Sequence, residues 1–222
     1  ALPKYTEFFA AVKSMPLKNA QLVAFGATRK AGVAVESDPQ VQALIDSEAP
    51  VITLVAKSDI RHVEQALKTT ADENLDMIRD TVAFLVDQGR RVFVDLEHFF
   101  DGYKHDKAYA LSVVEAAVSS GAEVAVLCDT NGGMLPSGVS QIVTEVAGST
   151  GARLGIHCQD DTGCAIANSL AAVEAGATHV QCTANGFGER TGNADLFAVT
   201  ANLQLKMCID CVPSASLSDM YR

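Results

Sequence analysis

The sequence predicts an α/β fold built on parallel strands, a (β/α)8 TIM barrel that is incomplete at about six βα units. Three observations lead there. Short apolar runs alternate with longer segments of helical period along the 222 residues. The runs are apolar without alternation, as strands covered on both faces are. Four successive runs end in clusters of polar side chains. A barrel gathers all its strand ends at one mouth, whereas an open doubly wound sheet collects ligands at a single switch point.

The opening residues, ALPKYTEFF, read as part of a helix and resemble no signal peptide. Residues 22–27 form the first predicted strand. Asp38 before Pro39 then marks a helix start, a cap residue followed by proline at the first helical position. Residues 51–56 are the second strand. Residues 70–88 are a long helix with Leu75, Ile78, Val82 and Leu85 on one face and Gly89 as its stop. The third strand, 92–96, precedes a helix over 109–120 that ends at Gly121. The fourth, 124–127, precedes a helix over 136–147 that ends at Gly148. The fifth, 154–157, leads to a helix over 164–175 with Gly176 behind it, and the sixth, 179–182, to a helix over 193–207. Such a repeat requires parallel strands joined by right-handed crossovers. Six strands fall short of the eight of a closed barrel. No linker or low-complexity segment interrupts the series, so one domain is expected.

Apolar residues make up 48% of the chain, enough for a sizeable core, and Trp is absent. With 17 Lys+Arg against 27 Asp+Glu the net charge is −10. Such a surface repels nucleic acid and anionic membranes, so neither is an expected partner. No run approaches the roughly 20 apolar residues of a membrane span. Four of the six cysteines lie in or beside apolar segments, where a thiol behaves as a small hydrophobe. Cys208 and Cys211 form a C-x-x-C without the second pair of a metal knuckle or the βαβ setting of a redox motif. A reducing, cytoplasmic location is expected.

The strand ends carry the chemistry. In RLGIHCQDD, residues two apart share a strand face, so His157 and Gln159 point together toward the mouth while Cys158 packs away. Histidine is the commonest metal ligand, and Asp160 or Asp161 would orient it. A lone strand-end histidine is more often simply hydrogen-bonded; the polar cluster around this one favours the ligand. In CTANGFGERTGNADL, Gly186, Gly188 and Gly192 uncover backbone amides around Glu189 and Arg190. A phosphate cradle and a flexible loop both fit, and Asn193 also fits as the cap of the last helix. Asp129, Thr130 and Asn131 end the fourth strand, where an Asx-turn is the plain alternative. Glu97 and His98 end the third, with two Phe behind them. A carboxylate beside rings suits a general acid or base, and an ion-paired Glu is the alternative. Lys57, Arg61 and His62 follow the second strand, where a local cation source for an anionic substrate and a plain solvated loop both fit.

Together these segments resemble a family. GIHCQDDTGCAIANSLAAVEAGATHVQCTANGFGERTGNADL is similar to the acyltransferase barrels of the isopropylmalate, homocitrate and citramalate synthases. There, a strand-end H-x-H-[ND]-D is followed by A-x-A-N-[ST]-L-x-A-V-x-A-G-A and N-G-x-G-E-R-x-G-N. FGATRKAG, VITLVAKS, VFVDLEHFFDGY and VLCDTNGGMLP look most like the citramalate synthase branch, and the resemblance runs from about Pro3 to about Pro213. It implies condensation of acetyl-CoA, as co-substrate, with a 2-oxo acid, then hydrolysis of the thioester. For this branch the acceptor is pyruvate and the product, (R)-citramalate, feeds isoleucine synthesis. It implies a divalent metal, Mg2+, Mn2+ or Zn2+, held by His157, Gln159 and Asn193. It implies that Thr130, with Asp129 and Asn131, holds the keto acid. Glu97 is placed near the reacting centre as base or base partner, and Glu189 and Arg190 of the G-E-R motif support the site. The parent protein is implied to be a homodimer.

Two departures stand out. Gln159 replaces the second motif histidine, and nothing matches the family's first-strand D-T-T-L-R-D-G, which supplies an acidic ligand and an arginine. The first residues resemble the helix after the family's second strand. The expectation is therefore an internal fragment: residues 1–207 as a partial barrel lacking two strands, and residues 208–222 as the start of a C-terminal linker, inactive alone. Within the same barrel, isopropylmalate or homocitrate synthase and a lyase cleaving hydroxymethylglutaryl-CoA are the alternatives. A non-catalytic barrel that binds a small acid or a partner chain is another.

Overall fold

The computed structural model describes residues 3–13, 15 and 17–220. Contacts divide the chain into two compact units, residues 1–125 and 126–222. Strands follow one another in the sheet in chain order, the topology of consecutive βα units.

The first unit begins with helix α1 (Pro3–Val12), where the opening residues were expected to be helical. Strand β1 (Val23–Ala27) pairs in parallel with β2 (Val51–Lys57), which pairs in parallel with β3 (Arg91–Glu97). Between the first two strands lies α2 (Pro39–Asp46). Its cap, Asp38, accepts from the amides of Gln40 and Val41, and Pro39 occupies the first helical position as expected. A short helix, α3 (Ile60–His62), runs into a π-helical turn over Val63–Leu67 that the sequence reading did not anticipate. Helix α4 (Ala71–Asp87) starts at Thr70, whose hydroxyl accepts from the Glu73 amide, and Gly89 follows it with φ +76°. Met77, Ile78, Val82 and Leu85 of α4 are buried. They join Ile52, Leu54, Leu96, Phe99 and Phe100 in the core. Each such side chain contributes about 1.5–3 kcal/mol by leaving water. Helix α5 (Phe99–His105), also unforeseen, and α6 (Lys107–Ser119) complete the unit. Gly102 of α5 lies against the backbone of Ser58 and Asp59, so closely that a Cβ there would overlap the Ser58 carbonyl oxygen.

Strand β4 (Val124–Asp129) is buried throughout. The second unit continues with α7 (Pro136–Thr150), β5 (Leu154–Cys158), α8 (Ala165–Glu174), β6 (His179–Gln181) and α9 (Leu196–Lys206). Two predicted boundaries move. Helix α7 runs through Gly148 and stops at Gly151, which adopts φ +62° and donates its amide to the Ala147 carbonyl. An interior glycine costs a helix only about 1 kcal/mol, so the left-handed stop goes to the second one. Helix α9 begins at Leu196 and is capped by the Asp195 carboxylate, not by Asn193. Among the described residues no helix is long and apolar enough to cross a membrane.

Candidate active site

Every strand from β2 to β6 delivers a polar residue at its carboxyl end: Lys57, Glu97, Asp129, Gln159 just beyond β5, and Gln181. In the second unit these ends build one network. Parallel pairing sets His157 of β5 beside Gln181 of β6. Gln159 follows two residues on and forms an antiparallel bridge with Asn193. The sequence expectation that His157 and Gln159 share a face holds: His157 Nε2 lies 3.1 Å from Gln159 Oε1, and Cys158 packs into the core. Burial pushes the Cys158 thiol up to about 12, so this cysteine is inert.

Asn193 joins them. Its amide nitrogen lies 3.0 Å from His157 Nε2 and donates a short hydrogen bond to Gln159 Oε1. The other side of each donor is held as well. Gln181 Oε1 faces His157 Nδ1 at 2.8 Å, and Gln159 Nε2 donates to Glu189 Oε1 at 3.4 Å. Asp160 and Asp161, the expected orienting residues, do other work. Asp160 accepts from the Ala165 amide, capping α8, and Asp161 is paired to Arg190. The register of β6, invisible in a local motif, gives the role to Gln181.

The glycine loop shapes this site by close approach. A Cβ on Gly188 would overlap Asn193 Oδ1, and one on Gly192 would overlap the Gly186 carbonyl oxygen. Gly186 and Gly192 also adopt φ +67° and +98°. The loop thus packs backbone against the Asn193 side chain, which neither a free phosphate cradle nor a flexible connector would require.

Arg190 sits in the left-handed region at φ +59° and forks onto both carboxylate oxygens of Asp161, at 2.6 and 2.7 Å. One of its nitrogens also donates to the Thr130 carbonyl oxygen at 2.7 Å. Three strand-end loops are thereby clipped together, and the guanidinium holds the Asp161 carboxyl below the usual carboxylate range. Asp129 is buried, and its carboxylate accepts from the amides of Gly133 and Met134 and from Asn168 Nδ2. It shapes the turn that presents half-buried Thr130 and exposed Asn131. Gly132 in that turn has φ +58°, and a Cβ there would meet Asp161 and Gln159 at 2.8–2.9 Å.

The first unit holds the other cluster. Glu97 is ion-paired with Lys57, the alternative foreseen beside general acid or base. The Glu97 carbonyl oxygen accepts from both the amide and the hydroxyl of Ser58, at 3.2 and 2.7 Å. His98 follows in the left-handed region at φ +59°, with its ring 4.1 Å from that of His62. Burial and the neighbouring His62 lower its pKa. Arg61 is turned back onto the buried Asp59 carboxylate.

A divalent cation suits the donors of the second unit. Cis ligands about 2.0–2.1 Å from an octahedral ion lie about 3 Å apart, the spacing seen between His157 Nε2 and Gln159 Oε1. Asn193 adds a third donor once its amide turns to offer Oδ1. Among the described residues no three His, Cys, Asp or Glu side chains gather into a set of their own, so this donor set is one imidazole and two neutral amides.

A parallel βα sheet whose polar residues gather at its carboxyl strand ends defines the class of α/β-barrel proteins that carry their chemistry at the barrel mouth. The chain belongs to the HMGL-like family, which it matches over residues 7–220. It is 63% identical, over its whole length, to (R)-citramalate synthase of Streptomyces coelicolor, and 50% identical over 99% of its length to (R)-citramalate synthase of Aquifex aeolicus. The chain spans 42% of the length of each of these relatives. Hydroxymethylglutaryl-CoA lyase from Pseudomonas aeruginosa has the same fold: TM-score 0.77 at 19% identity, over 99% of this chain and 75% of the lyase. The fold is thus six βα units of a TIM barrel.

Proposed function

We propose that this chain is part of the catalytic barrel of an (R)-citramalate synthase, an acyltransferase joining acetyl-CoA to pyruvate. The observation that carries the reading is the convergence of His157, Gln159 and Asn193 in a chain 63% identical to an enzyme of that name. Residues 1–207 are the barrel portion and residues 208–222 lead toward a linker. The protein is cytoplasmic, serves isoleucine synthesis and works as a homodimer.

His157, Gln159 and Asn193 would hold Mg2+, Mn2+ or Zn2+, which when bound would supply Lewis-acid polarisation of the acceptor's ketone. The chain's residues do the rest. Thr130, on the turn shaped by Asp129 and flanked by Asn131, binds the pyruvate carboxylate. Glu97 takes a proton from the acetyl methyl of the thioester. The resulting enolate carbon bonds to the ketone carbon, and the ketone oxygen takes up a proton. Water then cleaves the thioester, releasing the CoA thiol and citramalate. Lys57 keeps the Glu97 side chain aligned. Arg190 and Glu189 act by position, the first by clipping the loops and the second by holding the Gln159 amide.

Thiol release by the full-length protein tests this. Release with acetyl-CoA and pyruvate, at a higher kcat/KM than with 2-oxoisovalerate or 2-oxoglutarate, is expected, without cleavage of hydroxymethylglutaryl-CoA. Preference for a larger acceptor assigns an isopropylmalate- or homocitrate-type reaction, and cleavage assigns a lyase. No turnover with any of these would leave the binding-barrel reading.

A further inference from the structure

We propose that Gln181 is the positioning residue that makes His157 a ligand through Nε2. The inference rests on the metal reading above but concerns a residue outside the donor set. His157 and Gln181 are register partners on adjacent parallel strands, so their side chains stand side by side on one face. Gln181 Oε1 lies 2.8 Å from His157 Nδ1. On the far side of the ring, Nε2 faces the Asn193 amide nitrogen at 3.0 Å and Gln159 Oε1 at 3.1 Å. An amide N–H directed at Nε2 needs a lone pair there. Gln159 Oε1 can only accept and would draw a proton to Nε2, so the two neighbours of Nε2 oppose one another. The shorter contact of the Gln181 carbonyl oxygen at Nδ1 decides, and the ring's proton sits there.

The consequence is a preset tautomer. A neutral imidazole has one free lone pair, and the hydrogen bond made by its other nitrogen decides which atom offers it. Gln181 settles that choice before any ion arrives. Glu189 does the equivalent for the neighbouring ligand: by accepting from Gln159 Nε2 it turns Oε1 toward His157. Neutral ligands supply no charge of their own, so their aim matters more. A randomised ring or amide would present an N–H to the cation.

Gln181→Met keeps the side chain's length but removes the strong acceptor; Gln181→Glu restores an acceptor. The full-length protein, labelled with [15N]histidine, is measured metal-free by long-range 1H–15N correlation, with His157→Asn used to assign the ring. The wild type should show the Nδ1–H form of His157. Gln181→Met should shift it toward Nε2–H, and Gln181→Glu should restore Nδ1–H. Mn2+ titration in a calorimeter should show roughly a 10- to 100-fold loss of affinity for the Met variant and recovery in the Glu variant. An unchanged tautomer and Mn2+ affinity in Gln181→Met would overturn the proposal. If the wild type binds no Mn2+, the metal reading fails, and the tautomer measurement on its own decides what Gln181 does.

Discussion

The two polar clusters differ in how they are held. Around His157 the side chains are an imidazole and amides, with the Glu189 carboxylate behind Gln159, and their aim comes from tight backbone: a glycine loop pressed against Asn193 and a strand register that sets Gln181 beside the ring. Around Glu97 the groups are charged, and aim comes from an ion pair with Lys57 and from a histidine in a left-handed conformation. A neutral donor set keeps a fixed geometry without repelling itself and leaves the charge to the ion. A carboxylate base carries a formal charge, and a cationic partner holds it in place. On the proposed reading, cation binding falls to the second unit and proton transfer to the first.

Five substitutions break or sharpen that division. The largest effect is expected from His157→Ala. Losing several kcal/mol of Lewis-acid stabilisation corresponds to a fall in kcat of roughly ten thousandfold, with Mn2+ affinity lost in parallel in a calorimetric titration. Glu97→Gln should lower kcat by roughly a thousandfold yet leave Mn2+ affinity unchanged. If both variants lose the ion, the division is wrong.

Next come the backbone contacts. Gly192→Ala in the second unit and Gly102→Ala in the first each place a Cβ onto a carbonyl oxygen. Each should cost roughly 3 kcal/mol in urea unfolding. Only Gly192→Ala should also weaken Mn2+ binding.

The smallest effect is pH-dependent. Burial and His62 lower the His98 pKa, so the unfolded chain binds this proton more readily than the folded one. Stability should fall as pH drops below the ordinary histidine value of about 6.5, continuing down to the lowered folded value. His98→Asn, tolerated at a left-handed position, should flatten the slope of the urea midpoint between pH 7.5 and 5.5. An unchanged slope would mean that His98 does not carry it.

Much of this was legible in the sequence because it rests on local signals. Apolar runs located all six strands, and the proline after Asp38 marked α2. The spacing of two placed His157 and Gln159 on one face. What was missed depends on contacts far along the chain. Helix α5 lies where FFDGYKH reads as a loop after a strand, and its Gly102 is held by the backbone 44 residues earlier at Ser58. Gln181 has no motif of its own in the reading; only the pairing of β5 with β6 shows its partner. Asn193 read both as a ligand by resemblance and as a helix cap; Asp195 takes the cap, and Asn193 is hydrogen-bonded to Gln159 beside His157. Lys57 was noted as a cation near the strand end, and its pairing with Glu97, 40 residues along the chain, is what local sequence does not show.

The measurement closest to the centre is the stoichiometry of Mn2+ bound by the full-length protein, compared with Asn193→Leu. One ion per chain in the wild type, with binding weakened at least about a hundredfold in the variant, is the predicted result. Equal binding by the two proteins would mean that the imidazole and its two amide neighbours are not the seat of the ion.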